Sequence, residues 1–368
     1  MLYQINAHTD AQANQETKGG ALKNSLRCER KMLVDTNAAS KDFDVFNGDA
    51  DGICALHQLR LHESRDATLI TGAKRDIDLL TRFQSGPGDR LTILDISLDA
   101  NIRPLREHLS AGAMVSYFDH HNAAQAFEHE HLQLFCDTAA DVCTSILVNR
   151  YLGEKYAHWA VVAAYGDNLQ HVARQMAQQL GMSPAQCGQL HELGTLINYN
   201  AYGESVEDLH FHPAALYQAV HIYTDPFDFI NTATEFAVLR KAYAEDMLAL
   251  QGISATWQAE ACAIYILPAK AWARRVSGIL ANQLSVQDPG KSFAVLTARS
   301  DASYVVSVRS GQPDTHSASQ FCSRFVSGGG RRSAAGINQL AASEVEYFTR
   351  CFAAYFEQVP SFITQTTS

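Results

Sequence analysis

Short apolar runs that end abruptly at an acid recur through the first half of the chain, with amphipathic segments between them. Asp42-Phe43-Asp44-Val45-Phe46 runs into Asn47-Gly48-Asp49-Ala50-Asp51-Gly52. Arg90-Leu91-Thr92-Ile93-Leu94-Asp95-Ile96-Ser97 repeats the theme with Asp95. Ala113-Met114-Val115-Ser116-Tyr117-Phe118 ends at Asp119-His120-His121-Asn122. Apolar runs bounded this way read as buried strands. Ala67-Thr68-Leu69-Ile70 reads as a further strand. Helical periodicity covers Ile53 to about Glu63, Asp76 to Phe83 and about Asn101 to Leu109. Strand–helix alternation predicts an α/β fold with a parallel sheet and right-handed crossovers, which brings successive strand C-termini to one edge. Open sheets of this kind hold their ligands at that edge.

Each acid alone has an ordinary explanation. Asp51 suits the N-cap of the following helix, and an Asp after a strand suits a turn. Together, Asp49, Asp51, Asp95, Asp119, His120 and His121 are expected to share one crevice. The glycines around Asp49 and Asp51 permit a tight strand-to-helix turn in which both carboxylates converge on a cation. After a helix expected from about Ala139 to Tyr151, the apolar run His158–Tyr165 closes with Gly166-Asp167. Asp167 is either a turn residue after a buried helix or the last carboxylate of the cluster. Lys74 and Arg75, just after the second strand, either reach a ligand or face solvent.

From about Ser183 to Thr256 the pattern is helical. His191, His210, His212 and His221 lack metal-ligand spacing and read as surface or satisfied histidines. Phe229 to Leu250 reads as a long connector, and Trp257-Gln258-Ala259 lies near the boundary to an α+β domain. That domain contributes strands at Ala261–Leu267, Ser292–Ala298 and Ser303–Val308, and a helix carrying Arg274, Arg275 and Val276. Arg309-Ser310 follows the last of these strands. Ser327-Gly328-Gly329-Gly330-Arg331-Arg332 then sets glycine N–H groups beside guanidinium forks, a cradle for phosphate or else a flexible basic loop. The expected organisation is a tail over residues 1–40, a catalytic domain over 41–225, a helical connector over 226–258 and a substrate-binding domain over 259–368. Met32 is an alternative start for the working protein.

The chain of 368 residues carries a formal charge of −10, and its pI is about 5.8. A protein that grips duplex DNA needs a broad basic face, so duplex DNA is not the expected partner. Small anionic ligands need only a few local cations and stay open. The eight cysteines form no C-x-x-C pair, which argues against a zinc ribbon or a thioredoxin-like motif. No signal peptide or membrane span is read, so a cytoplasmic location is expected.

The ordered series Asn47-x-Asp49-x-Asp51, Asp95, Asp119-His120-His121 and Gly166-Asp167 resembles the DHH phosphoesterase superfamily. Arg309-Ser310, Gly328-Gly329-Gly330 and Ala334-Ala335-Gly336 look like that superfamily's associated C-terminal domain. The resemblance spans residues 42 to about 345. It implies an active site in a cleft between the two domains, with two manganese ions, Mg2+ being the alternative. One ion would take Asp49 and Asp95. The other would take Asp51, Asp95, His120 and Asp167, with His121 facing the scissile phosphate and Arg309, Ser310 and Arg331 clamping it. Two departures stand out. The family usually begins its first motif with a histidine ligand, where this chain has Asn47, a weaker ligand. The glycine motif usually ends in His, where this chain has Arg331, a permanent phosphate binder.

The implied activity is hydrolysis of short linear oligonucleotides, such as the dinucleotide pGpG, to mononucleotides. The alternatives are a RecJ-like single-strand exonuclease, a phosphoadenosine-phosphate phosphatase, a cyclic dinucleotide phosphodiesterase and a non-catalytic nucleotide sensor. No membrane partner is expected, and a homodimer is possible.

Overall fold

The computed structural model describes residues 40–357. The expected N-terminal tail, apart from Ser40, lies outside these residues, as do Met32 and the last residues of the chain. Strands β1 (Asp42–Phe46), β2 (Thr68–Ile70), β3 (Arg90–Leu94), β4 (Met114–Asp119) and β5 (Leu132–Cys136) form a wholly parallel sheet in the order β2-β1-β3-β4-β5. Alternating side chains fill two cores. Phe43, Val45, Leu91, Ile93, Val115 and Tyr117 face one side, and Phe46, Leu94 and Phe118 the other, as expected when a parallel sheet is covered on both faces. Strand order reverses between β1 and β3, so their C-terminal ends flank a crevice that no crossover closes.

Helix α1 (Ala50–His62) follows β1 and α2 (Leu98–Ser110) follows β3. A mostly helical body continues through α3 (Thr144–Tyr151), α4 (Ala157–Gly166), α5 (Gln170–Gln179), α6 (Pro184–Asn200), α7 (Pro213–His221), α8 (Pro226–Thr232) and α9 (Thr234–Leu250). Asp44, in mid-strand, is buried against Arg60 of α1, whose Nε donates to it at 2.8 Å, and Arg60 also reaches Thr92 of β3. This acid therefore belongs to the core and not to the crevice.

The second sheet runs β10-β11-β9-β8-β7-β6, built from β6 (Trp257–Gln258), β7 (Cys262–Leu267), β8 (Ser292–Ala298), β9 (Ser303–Arg309), β10 (Gly328–Gly330) and β11 (Ala334–Ala341). Only β7 and β8 pair parallel. Helix α10 (Ala271–Gln287) covers one face. The other carries α11 (Ala318–Cys322) and α12 (Val345–Phe356), with Phe321, Phe348 and Phe352 at the centre of that core. Helix α10 meets α9 through Arg275, whose Nε donates to Asp246 at 2.8 Å, and Arg274 Nε donates to Asp208 at 2.6 Å.

Several elements differ from expectation. The helix expected over Asp76–Phe83 is a single 3-10 turn at Leu79–Thr81. Asp76 turns its carboxylate back onto the Ala73 N–H, which ties the chain into a turn before Leu79 and Leu80 enter the core. Strand β5 was not foreseen, because its half-buried edge residues lack a strong period. Helix α3 starts at Thr144, later than Ala139. The expected connector breaks at Ala233, which takes an extended ψ of 130° between α8 and α9.

Candidate active site

The loop after β1 turns sharply into α1. A Cβ at Gly52 would lie 2.1 Å from the Asn47 carbonyl oxygen, so the turn needs glycine there. Asp49 caps α1: its Oδ1 accepts the N–H groups of Asp51 and Gly52 at 3.0 and 3.1 Å. Its Oδ2 accepts from the Lys74 ammonium. Burial pushes the Asp49 carboxyl up, but Lys74 and these N–H groups outweigh it and hold it below the usual carboxylate range. Asp51 points the other way, into the N-terminus of α3, where it accepts the N–H groups of Thr144 and Ser145, both at 2.7 Å. These two donors are orphan amides of a helix start and favour a negative charge.

Asp95, just past β3, has a φ of +58°, an uncommon left-handed conformation. Its amide donates to the Phe118 carbonyl at 3.0 Å, so the register of β4 fixes the turn. His120 follows β4 with its Nε2 3.4 Å from Asp95, 3.9 Å from Asp51 and 4.0 Å from Asp167. Asp167 is the C-cap of α4. Asp51, His120 and Asp167 each bring a ligand atom within 4.8 Å of the others, and so do Asp95, His120 and His121.

The electrostatics follow from packing like charges out of water. Burial and the neighbouring Asp95 charge push Asp51 up to about 7. Burial and Asp49 push Asp95 up to about 7, and burial and Asp51 push Asp167 up to about 6. Burial disfavours a charged His120, yet its hydrogen bond to Asp95 and the charges of Asp51, Asp95 and Asp167 push it up to about 10. The cluster therefore demands a cation, which in the metal-free protein is a proton on the imidazole.

Asp119 is fully buried and has a different geometry. Its Oδ1 accepts from the N–H groups of His120 and His121 and from His121 Nδ1, and its Oδ2 accepts the Leu98 N–H at 3.3 Å. It holds the two histidines and offers no oxygen to the cluster. His121 is 43% exposed, and among the described residues its Nε2 has no protein partner.

Three carboxylates gathered around one imidazole suit a hard divalent ion such as Mn2+ or Mg2+. Asp51, Asp95, His120 and Asp167 thus fit the second of the two ions that the DHH resemblance implies. The residues for the first do not fit as well. Asn47 Oδ1 is buried without a hydrogen-bond partner, and Asp49 is already paired with an ammonium.

Lys74, which the sequence left between ligand and solvent, lies inside the site. Its Nζ is 3.8 Å from Asp167 Oδ1 and 3.4 Å from Asn198 Oδ1, and it stands 5.7 Å from the centre of the Tyr202 ring. Arg75 is exposed beside it. Asn198 and Tyr202 were not read from the sequence, because they sit on and just after a helix distant in the chain.

The substrate-binding candidates separate into two groups. Arg309 ends β9, with its Nε on Asn282 Oδ1 at 3.0 Å; burial pushes its guanidinium down, with Tyr202 opposing. Ser310 Oγ donates to the His316 carbonyl at 2.6 Å, inside its own turn. Gly328, Gly329 and Gly330 form the edge strand β10 instead of an open loop, with Gly330 at φ +137° opposite Ala335. Arg331 is exposed in the turn that follows. Among the described residues, no hydrogen bond or ion pair joins Ser310 or residues 328–331 to the acid cluster.

No protein-family profile matches the chain, and no curated protein matches it. Solved structures do. Exonuclease RecJ bound to manganese superposes with a TM-score of 0.50 at 16% identity, over 87% of this chain and 91% of that one. RecJ from Thermus thermophilus in complex with Mn2+ gives 0.52 at 16% identity, over 87% of this chain and 52% of that one. The pGpG-specific phosphodiesterase PggH from Vibrio cholerae gives 0.52 at 12% identity, over 86% of this chain and 99% of that one. The chain has a RecJ-like fold.

Proposed function

We propose that this chain, on its RecJ-like fold, is a divalent-metal-dependent phosphodiesterase that cleaves short linear oligonucleotides, such as pGpG, to mononucleotides. The observation that carries the reading is His120, whose Nε2 lies 3.4 to 4.0 Å from carboxylate oxygens of Asp95, Asp51 and Asp167 at the sheet edge where the strand order reverses. These residues would hold the cation, Mn2+ being the proposed ion. Held there, a divalent ion would acidify a bound water and neutralise charge on the phosphate.

The protein's own groups supply the rest. Asp51 is locked by two helix amides and Asp95 by the β4 register, so the ligands are positioned before the cation arrives. Asp119 takes the Nδ1–H of His121 and leaves Nε2 directed away from it. Burial opposes a charge on His121, but this hydrogen bond raises its proton affinity. His121 Nε2–H then donates to a non-bridging phosphate oxygen, or gives its proton to the leaving oxygen as the P–O bond breaks. Arg309 would bind a terminal phosphate. The net acidic chain favours a small ligand over a long strand, which gains affinity from many phosphate contacts.

The test is product analysis with Mn2+ on pGpG, a longer single strand, cyclic di-GMP and phosphoadenosine phosphate, with His120→Ala alongside. Mononucleotides from pGpG alone support the reading. Equal attack on the long strand indicates a RecJ-like exonuclease, and released inorganic phosphate indicates the phosphatase. Nucleotide binding without any turnover indicates a sensor.

A further inference from the structure

The two-cation arrangement that the DHH resemblance implies meets an obstacle at its first position, and the obstacle is a lysine. Asp49 is the one carboxylate that would serve the first cation alone. Its Oδ1 is committed to the N–H groups of Asp51 and Gly52, and its Oδ2 carries the Lys74 ammonium. That ammonium also lies 3.8 Å from Asp167 Oδ1 and donates to Asn198 Oδ1 at 3.4 Å. The Lys74 backbone N–H is tied to the Ala201 carbonyl at 2.9 Å, so the side chain starts from an anchored loop. Asn47, at the head of the same loop as Asp49, has a neutral, buried Oδ1 that adds no charge to attract a metal.

We propose that the Lys74 ammonium takes the place of the first divalent cation, so that the centre works with one metal ion and one lysine. The inference rests on the metal-dependent reading above and deepens it. Charge balance agrees. Asp49, Asp51, Asp95 and Asp167 are nearly neutralised by one divalent ion and one ammonium, whereas a second divalent ion would share Asp49 and a few ångströms of space with a like charge. The exchange is chemically meaningful. An ammonium donates hydrogen bonds and stabilises an anion, but it has no coordination position for water. Asn47 and Lys74 then form a matched pair: the missing ligand and the resident charge that makes it unnecessary.

The experiment counts bound metal on the full chain and does not depend on turnover. The protein is dialysed against Mn2+, its metal content is measured, and the Mn2+ electron paramagnetic resonance spectrum is recorded for wild type, Lys74→Met, and Asn47→His/Lys74→Met. Methionine keeps the length of the stem while removing the charge, and a melt in chelator checks folding. If the double variant fails to fold, Lys74→Met alone decides, through gain or absence of a second bound ion. The expected result is one Mn2+ per wild-type chain with an isolated-ion spectrum, and two with an exchange-coupled spectrum in the double variant. Two coupled ions in wild type would overturn the inference, as would one ion in a folded double variant. No bound Mn2+ in any protein would instead overturn the metal-dependent reading itself, and this inference with it.

Discussion

Asp119 accepts the Nδ1–H of His121 at 2.7 Å on the same oxygen that takes the His120 and His121 backbone amides. A fully buried acid thus fixes both the tautomer and the direction of a half-exposed imidazole, which makes it a positioning residue. Asp119→Asn keeps an acceptor for the amides but weakens control of the ring. It should lower kcat by about 10²-fold, the low end of general acid catalysis, with little change in KM. Asp119→Ala leaves four donors without their acceptor and should also cost ~2–4 kcal/mol of stability. Steady-state kinetics and thermal melts on the two variants separate these effects.

Asp51 and Asp167 both face His120, yet only Asp51 also holds secondary structure together. Its carboxylate closes the N-terminus of α3 through Thr144 and Ser145, whereas Asp167 makes no side-chain hydrogen bond among the described residues. Both Asp51→Ala and Asp167→Ala should weaken Mn2+ binding by tenfold or more. Both substitutions also relieve crowding among buried carboxylates, but Asp51→Ala uncaps α3 and unpairs two amides as well, so it should leave the metal-free protein less stable than Asp167→Ala does. Calorimetric Mn2+ titrations and melts in chelator give the two readouts.

The acids at the ends of β1, β3 and β4 were legible because a parallel sheet puts strand C-termini on one edge wherever the apolar runs stop. Asp167 arrives by another route, at the end of the helix α4, which is buried almost all round and whose apolar run carries no distinguishing period. The role of Lys74 was not legible. Its direction is set by a backbone bond to Ala201, more than a hundred residues away in the chain, and by Asn198 and Tyr202 around it. The amides of Thr144 and Ser145 were equally hidden, since a backbone donor has no signature in residue type. The glycine run misled for a related reason. Three glycines mark conformational freedom, but pairing with Ala335, Gly336 and Ile337 turns them into a strand.

His57, inside α1, is fully buried between Trp159 and His221. Its Nε2 lies 3.0 Å from the Tyr223 carbonyl and its Nδ1 3.3 Å from His221 Nδ1. The carbonyl requires Nε2 to donate, so Nδ1 accepts from His221 and has no room for a second proton. Burial and His221 push His57 down to about 3. A base whose folded value lies below its unfolded one stabilises the protein fully above about pH 6.5, and that stability is lost as pH falls towards 3. Metal-free wild type should lose about 3 kcal/mol from this group between about pH 6.5 and 4. His57→Gln should be less stable at neutral pH and should show a flatter acid limb. Denaturant melts across that range check the slope, and an equally steep limb in the variant would remove His57 as the cause.

Arg309 is the clearest substrate-binding candidate in the second sheet, because its guanidinium is held by Asn282 from α10 while one terminal nitrogen keeps no protein partner among the described residues. Its Nε donates to Asn282, and its Nη1 donates to the Val308 carbonyl at 3.0 Å. The remaining terminal nitrogen is the one free to meet a phosphate. A charge-assisted contact made equally in ground and transition states raises KM when lost and leaves kcat alone. Arg309→Ala should therefore raise KM for pGpG by about 10–100-fold, with kcat within about threefold and an unchanged melting temperature. Arg331→Ala, in an exposed turn unconnected to the cluster, should change KM much less if the phosphate is bound at Arg309. The salt dependence discriminates further. A short ligand held by one or two cations loses affinity gently with added salt, while a strand lying along many cations loses it steeply. A shallow slope of log Kd on log salt for pGpG, flattened further by Arg309→Ala, is the expected outcome; a steep slope with a longer strand that Arg309→Ala leaves untouched would place the phosphate contacts elsewhere.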